Sequence, residues 1–123
     1  MTAASLDAVG RRNRQRTKLV AEVSEYRDAE GSVLALRGAL TPATRREYTT
    51  VLDGGLHRED ARQRALELLF ERLAVSWTIA GVVTGRQKEL LARYRMASAA
   101  ERDFVRDSLR AHVTENFPEL EVP

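Results

Sequence analysis

The stretch HREDARQRALELLFERLAVSWTIA, residues 57–80, decides how the chain is read. Leu66, Leu69, Phe70, Leu73, Trp77 and Ala80 recur at three- and four-residue steps, while Asp60, Arg64, Glu67 and Glu71 line the opposite side. That spacing predicts one long helix, wet on one side at its start. Past Glu71 the polar face narrows, because Leu68, Val75 and Ile79 fill most of the remaining circumference, so the last turns are expected to be covered on several sides. Leu66, Leu69, Phe70, Leu73 and Trp77 are therefore the expected structural core. The Trp77 indole N–H is expected to bond a carbonyl or hydroxyl.

Around this stretch the chain has room for one domain and no more. With 123 residues, 43% of them hydrophobic, it can bury about 65% of its unfolded surface. The absence of cysteine excludes disulfides, thiolate catalysis and cysteine metal sites, and fits a reducing compartment. Leu73–Val83 is flanked by Arg72 and Arg86 and interrupted by Ser76, Thr78 and Gly81, too short and too polar for a membrane span. MTAASLDAVG lacks the early charge and apolar run of an export signal, so a cytoplasmic protein with no membrane partner is expected. The formal charge of +2 hides an asymmetry: residues 1–18 carry Arg11, Arg12, Arg14, Arg16 and Lys18 against Asp7 alone. Eighteen of the twenty basic residues are arginine, a composition that most simply follows from a GC-rich genome, so arginine number alone does not indicate nucleic-acid chemistry.

In chain order, residues 1–18 are expected to form a basic, mobile arm. LVAEVSEY and SVLALRG flank Arg27–Gly31, and their Val, Leu and Tyr content predicts an N-terminal two-stranded β-hairpin over 19–37. Leu19, Val20, Val23 and Tyr26 also fit helical spacing, so helix over 19–30 stays open. In the hairpin reading Leu19 and Val23 face the helices. Thr41-Pro42 supplies a capping hydroxyl followed by proline at the first helical position, and Asp53-Gly54-Gly55 supplies the stop. Thr84-x-x-Gln87 and Ser98-x-x-Glu101 read as capping boxes opening two further helices, the last ending at Phe117-Pro118 before a loose acidic tail, 117–123. The expected fold is thus mainly α within an α+β class: about four helices around a central long one, with an N-terminal hairpin.

Chemistry is sparse on this frame. His57-x-x-Asp60 offers two of the three or four ligands a metal needs, and no second cluster completes the set. His112 reads as a partly buried polar residue bonded to a neighbour. There is no nucleophile elbow, and Gly81-Val-Val-Thr-Gly85 lacks the lysine that makes a phosphate loop. The expectation is a protein without catalytic residues, metal or cofactor.

RRNRQRTK, residues 11–18, resembles the arginine-rich RNA-binding helices of lambdoid phage antitermination proteins, in which arginines grip phosphates. That resemblance implies nucleic-acid contacts by Arg11, Arg12, Arg14, Arg16 and Lys18. No aromatic within residues 1–25 is available to stack on a base. A second resemblance lies in layout. A glycine-turn hairpin (Val20–Leu36), a helix opened by Leu40-Thr41-Pro42 and a helix carrying Trp77-Thr78-Ile79-Ala80-Gly81 near its end are similar to the tail assembly chaperones of long-tailed phages and prophages. The basic extension before Leu19 and the acidic Glu115–Glu121 tail depart from that layout. The likeness implies a small adaptor that binds a protein partner through apolar helical surface and strand addition at the hairpin edge. The oligomeric state does not follow from these residues.

Overall fold

A computed structural model describes residues 22–55 and 57–123. The elements run β1 (Val23–Arg27), β2 (Val33–Arg37), α1 (Pro42–Asp53), α2 (Arg58–Leu73), β3 (Ala74–Ile79), β4 (Val82–Thr84), α3 (Gln87–Arg95) and α4 (Ala99–Asn116). The strands form one antiparallel sheet in the order β1-β2-β3-β4.

The expected long helix is corrected here. Helix α2 stops at Leu73, and residues 74–79 are the strand that pairs with β2. The reason lies in composition: Arg58–Leu73 is mostly Ala, Leu, Glu and Arg, which lose little freedom in a helix, whereas Val75, Trp77, Thr78 and Ile79 favour a pleated surface. The expected mainly α fold, with one central helix and a lone N-terminal hairpin, is overturned with it. The strands occupy positions within 23–84 and make a four-stranded sheet, and the core lies between that sheet and the helices.

Leu34, Leu36, Ala74 and Trp77 project from the central strands into this core and meet Leu66, Leu69, Phe70 and Leu73 of α2, Leu90 and Tyr94 of α3, and Val105, Leu109 and Val113 of α4. Phe70 stacks on Tyr94 at 4.9 Å between centroids and meets Trp77 edge-on at 5.8 Å. A register shift between Ala35 and Leu36 lets both Leu36 and Ala74 face inward. None of Val33, Ala35, Ser76, Thr78 and Val83, which alternate with the inward residues, belongs to the core cluster. The described residues therefore form two layers, with the helices on one face of the sheet.

Which hairpin residues face inward also differs from expectation. Tyr26 packs on the core while Val23 is 44% exposed, because Tyr26 finds a hydrogen-bond partner in the helix layer. Two helix starts match their local signals. Thr41 Oγ1 accepts from the Thr44 N–H at 3.1 Å, and Ser98 and Glu101 close a reciprocal capping box. Thr84 does not cap: it lies on β4 opposite Trp77, and α3 begins after Arg86 with no side-chain cap. The tail is docked rather than loose. Phe117 is buried, Arg45 pairs with Glu119 at 2.7 Å, and the Tyr48 hydroxyl donates to the Glu121 carbonyl. Burial, with Glu121 adding to it, pushes the Tyr48 hydroxyl up to about 12.

Candidate functional site

Strand β1 is an edge of the sheet, bonded to β2 on one side and, among the described residues, to no strand on the other. Helix α4 passes beside it in the opposite direction. A Cβ on Gly38 would lie near both Glu22 and Asn116, while His112, one turn earlier on α4, contacts Tyr26. Between strand and helix runs a groove of about 620 Å³ lined by Tyr26, Asp107, Arg110, Ala111, Thr114 and Glu115.

The side of the groove toward the sheet is fixed by a buried polar network. His112 Nε2 lies 2.8 Å from the Arg37 carbonyl oxygen, which can only accept, so that nitrogen carries the proton. Nδ1 then accepts from the Tyr26 hydroxyl at 2.9 Å. Asn116 Nδ2 donates to the His112 carbonyl at 2.9 Å. Both imidazole nitrogens are satisfied and the ring is fully buried, an arrangement that joins α4 to β1 and β2. Burial pushes the His112 imidazole below its ordinary value, against the opposing pull of the Arg37 carbonyl and the Glu115 carboxylate. Burial likewise raises the Tyr26 hydroxyl, with Glu115 adding to the effect. The network positions these elements, and neither imidazole nitrogen is left without a partner.

At the other edge, β4 is three residues long and apolar. Val82 and Val83 are 68% and 65% exposed. The turn before it holds Ala80 at φ 51° and Gly81 at φ 80°, the two positive values a two-residue type I′ hairpin needs. Ala80 is the one non-glycine residue with positive φ among the described residues.

Leu66, Leu69, Phe70, Leu73 and Trp77 are all buried, the last on a strand instead of a helix. The Trp77 indole nitrogen is buried without a hydrogen-bond partner among the described residues, contrary to expectation, and Arg93 lies over the ring at 5.4 Å. His57 is an exposed helix-start residue that makes no capping bond. No group of three His, Cys, Asp or Glu side chains among the described residues is placed to hold a metal. Arg11, Arg12, Arg14, Arg16 and Lys18 lie outside the described residues. No helix among those described is long and apolar enough to cross a membrane.

A second cavity, of about 530 Å³, opens between the α1–α2 connection and the tail, where Arg58 and Arg62 face Asp53 and Glu121. Its mixed charges suit water as well as any one ligand. The hairpin edge was expected from the resemblance, but the groove beside it was not foreseen, because Tyr26 and His112 are 86 residues apart and neither sits in a local motif.

No protein-family model matches the chain, and no curated protein or solved structure matches it. Its class is therefore stated from geometry: an α+β domain that, among the described residues, has a four-stranded antiparallel sheet with helices on one face and both edges unpaired.

Proposed function

We propose that the protein is a non-catalytic protein-binding adaptor that takes an extended segment of its partner at an edge of the sheet. One observation carries the reading. Of the four large hydrophobic residues that are exposed among those described, three (Val23, Val82 and Val83) lie on the two edge strands. Edges of monomeric sheets are usually blunted by lysine, proline or bulges; neither edge strand carries lysine or proline, β4 bears no charge and β1 bears Glu25 and Arg27 beside Val23, so these edges, unpaired among the described residues, favour strand addition. The particular form proposed is an assembly chaperone of the phage-tail kind. Support for that form comes from Leu40-Thr41-Pro42, which opens α1, and not from Trp77–Gly81, whose residues form a strand and turn rather than the helix the resemblance was drawn on.

The test compares the intact chain with Val23→Lys and with the pair Val82→Lys, Val83→Lys. All three are expected to melt within a couple of degrees of each other, in keeping with surface substitutions. At least one variant is expected to lose a co-purifying protein, and amide exchange in the complex should slow at that edge. Retention of the partner by both variants would overturn the proposal. So would finding that the only ligand is nucleic acid whose affinity falls steeply with salt, the behaviour of an arginine-rich arm.

A further inference from the structure

Resting on the strand-addition reading, we infer that the segment taken at the β1 edge is basic: an extended peptide with two arginine or lysine side chains four residues apart and a small or apolar residue midway. The argument begins with the helix wall. Asp107, Ala111 and Glu115 stand at successive four-residue steps of α4 and so share one stripe, and all three line the groove. Eight residues of helix set the two carboxylates about 12 Å apart. A strand added to β1 places residues i, i+2 and i+4 on the face toward α4, the outer two about 13 Å apart. The two repeats coincide, with Ala111 opposite the middle residue.

Charge gives the sign. Arg110, the one cation lining the groove among the described residues, turns to the Pro123 carbonyl oxygen at 2.8 Å. Asp107 meets only the Nε of Arg106, at 3.8 Å, and its side chain is 67% exposed. Glu115 is exposed and makes no ion pair among the described residues, although its field reaches Tyr26 and His112. Two carboxylates thus flank an apolar floor, and among the described residues the one cation paired with either is Arg106, which Asp107 at 3.8 Å shares with Asp103 at 3.3 Å. Backbone bonds to β1 would supply most of the affinity. The carboxylates would supply selectivity, since an acidic segment in the same place meets like charge.

The probe is the labelled peptide acetyl-Thr-Arg-Val-Ala-Val-Arg-Thr-amide, compared with the analogue in which both arginines are glutamate, each titrated into the intact protein at low salt. The arginine peptide is expected to bind at least about tenfold more tightly. Asp107→Asn and Glu115→Gln should each weaken it about two- to fivefold, as exposed ion pairs do, while Glu89→Gln, on α3 and outside the groove lining, should leave it unchanged. Equal binding of the two peptides, or indifference to Asp107→Asn and Glu115→Gln, overturns the basic preference and leaves strand addition standing. Failure of both peptides, together with no slowed exchange at either edge in a partner complex, overturns both readings. The chain's own Arg12 and Arg16 also stand four apart. If the intact protein carrying Arg12→Glu and Arg16→Glu takes the peptide and the parent does not, the groove serves that stretch and the external partner is overturned.

Discussion

The two hairpins of the sheet are built on different terms. In the first, the turn is held by local chemistry. Asp28 Oδ1 accepts from the N–H groups of Glu30 and Ser32, both at 2.9 Å, and the positive φ of 88° falls on Gly31. Its edge strand is tied to α4 through the Tyr26–His112 bond. In the second, a non-glycine residue takes a left-handed conformation, the edge strand is three residues long, and its exposed side chains are valines. Beyond its ladder to β2, that hairpin is held to the helices by Trp77, the largest side chain buried in the core. The difference teaches where stability and recognition separate. The first hairpin is anchored by directional polar bonds that leave a charged groove beside it, whereas the second is anchored by one aromatic side chain and leaves an apolar edge.

The largest effect should come from removing that aromatic anchor. Trp77→Ala is expected to cost about 3–5 kcal/mol, a large part of the 5–15 kcal/mol typical of a domain. Chemical denaturation measures it directly. Because the indole N–H has no partner, none of this loss is expected to come from a broken hydrogen bond. A loss below about 1 kcal/mol would mean that the second hairpin is held by something else.

The polar anchor of the first hairpin should reveal itself through pH. His112 meets Tyr26 from β1, the Arg37 carbonyl from β2, and Glu115 and Asn116 from its own helix. Its folded-state proton affinity is lowered, chiefly by burial. The unfolded chain therefore binds a proton first, near the ordinary histidine value of about 6.5. The neutral-state contribution is fully present above that pH and is lost as pH falls through it. Denaturant midpoints measured between pH 8 and 5 should decline below about pH 6.5, where most carboxylates are still ionised. Tyr26→Phe leaves Nδ1 without the hydroxyl and should cost about 1–3 kcal/mol at neutral pH. A flat profile would mean that the ring is not held neutral and that the two hairpins differ less than their geometry indicates.

Helix starts give a smaller effect and a control, since they belong to neither hairpin. Ser98→Ala should destabilise by about 0.5–2 kcal/mol, because it opens the capping box. Glu101, the other half of the box, is held ionised first by Arg93 at 2.8 Å and then by the Ser98 N–H. An unchanged melt would mean that the Glu101 carboxylate alone suffices.

These features were legible in the sequence to different degrees, for physical reasons. Capping depends on residues three apart, so Thr41-Pro42 and Ser98-x-x-Glu101 could be read without the fold. Thr84-x-x-Gln87 has the same spacing but does not cap, because pairing opposite Trp77 places Thr84 in the ladder. The helical stripe of Leu66, Leu69, Phe70 and Leu73 was legible for the same local reason. It became misleading at Trp77, which lies four residues beyond Leu73 and also stands two residues from Val75 and from Ile79, the spacing of one strand face, so both periods fit until β2 supplies a partner. The groove was not legible at all. It depends on a register between β1 and α4 that no short-range pattern encodes.

The smallest effect is the most direct test of strain in the second hairpin, because there the sign is opposite to that of most mutations. Ala80 holds φ at 51°, a region that costs an L-residue about 1–2 kcal/mol and that asparagine tolerates better. Asn-Gly is also the dipeptide preferred by the turn that Ala80 and Gly81 form. Ala80→Asn is therefore expected to stabilise the protein by about 0.5–1 kcal/mol. Gly81→Ala is expected to do the reverse, by about 1 kcal/mol, since Gly81 sits at φ 80° and an added Cβ would meet nothing within 4 Å, leaving backbone strain as the cost. The same measurement on Gly31→Ala, also in open space at positive φ, gives the first hairpin's value for comparison. If Ala80→Asn fails to stabilise while Gly81→Ala still destabilises, the turn is as relaxed as the Asp28–Ser32 turn. The contrast between the two hairpins would then lie in their edges alone.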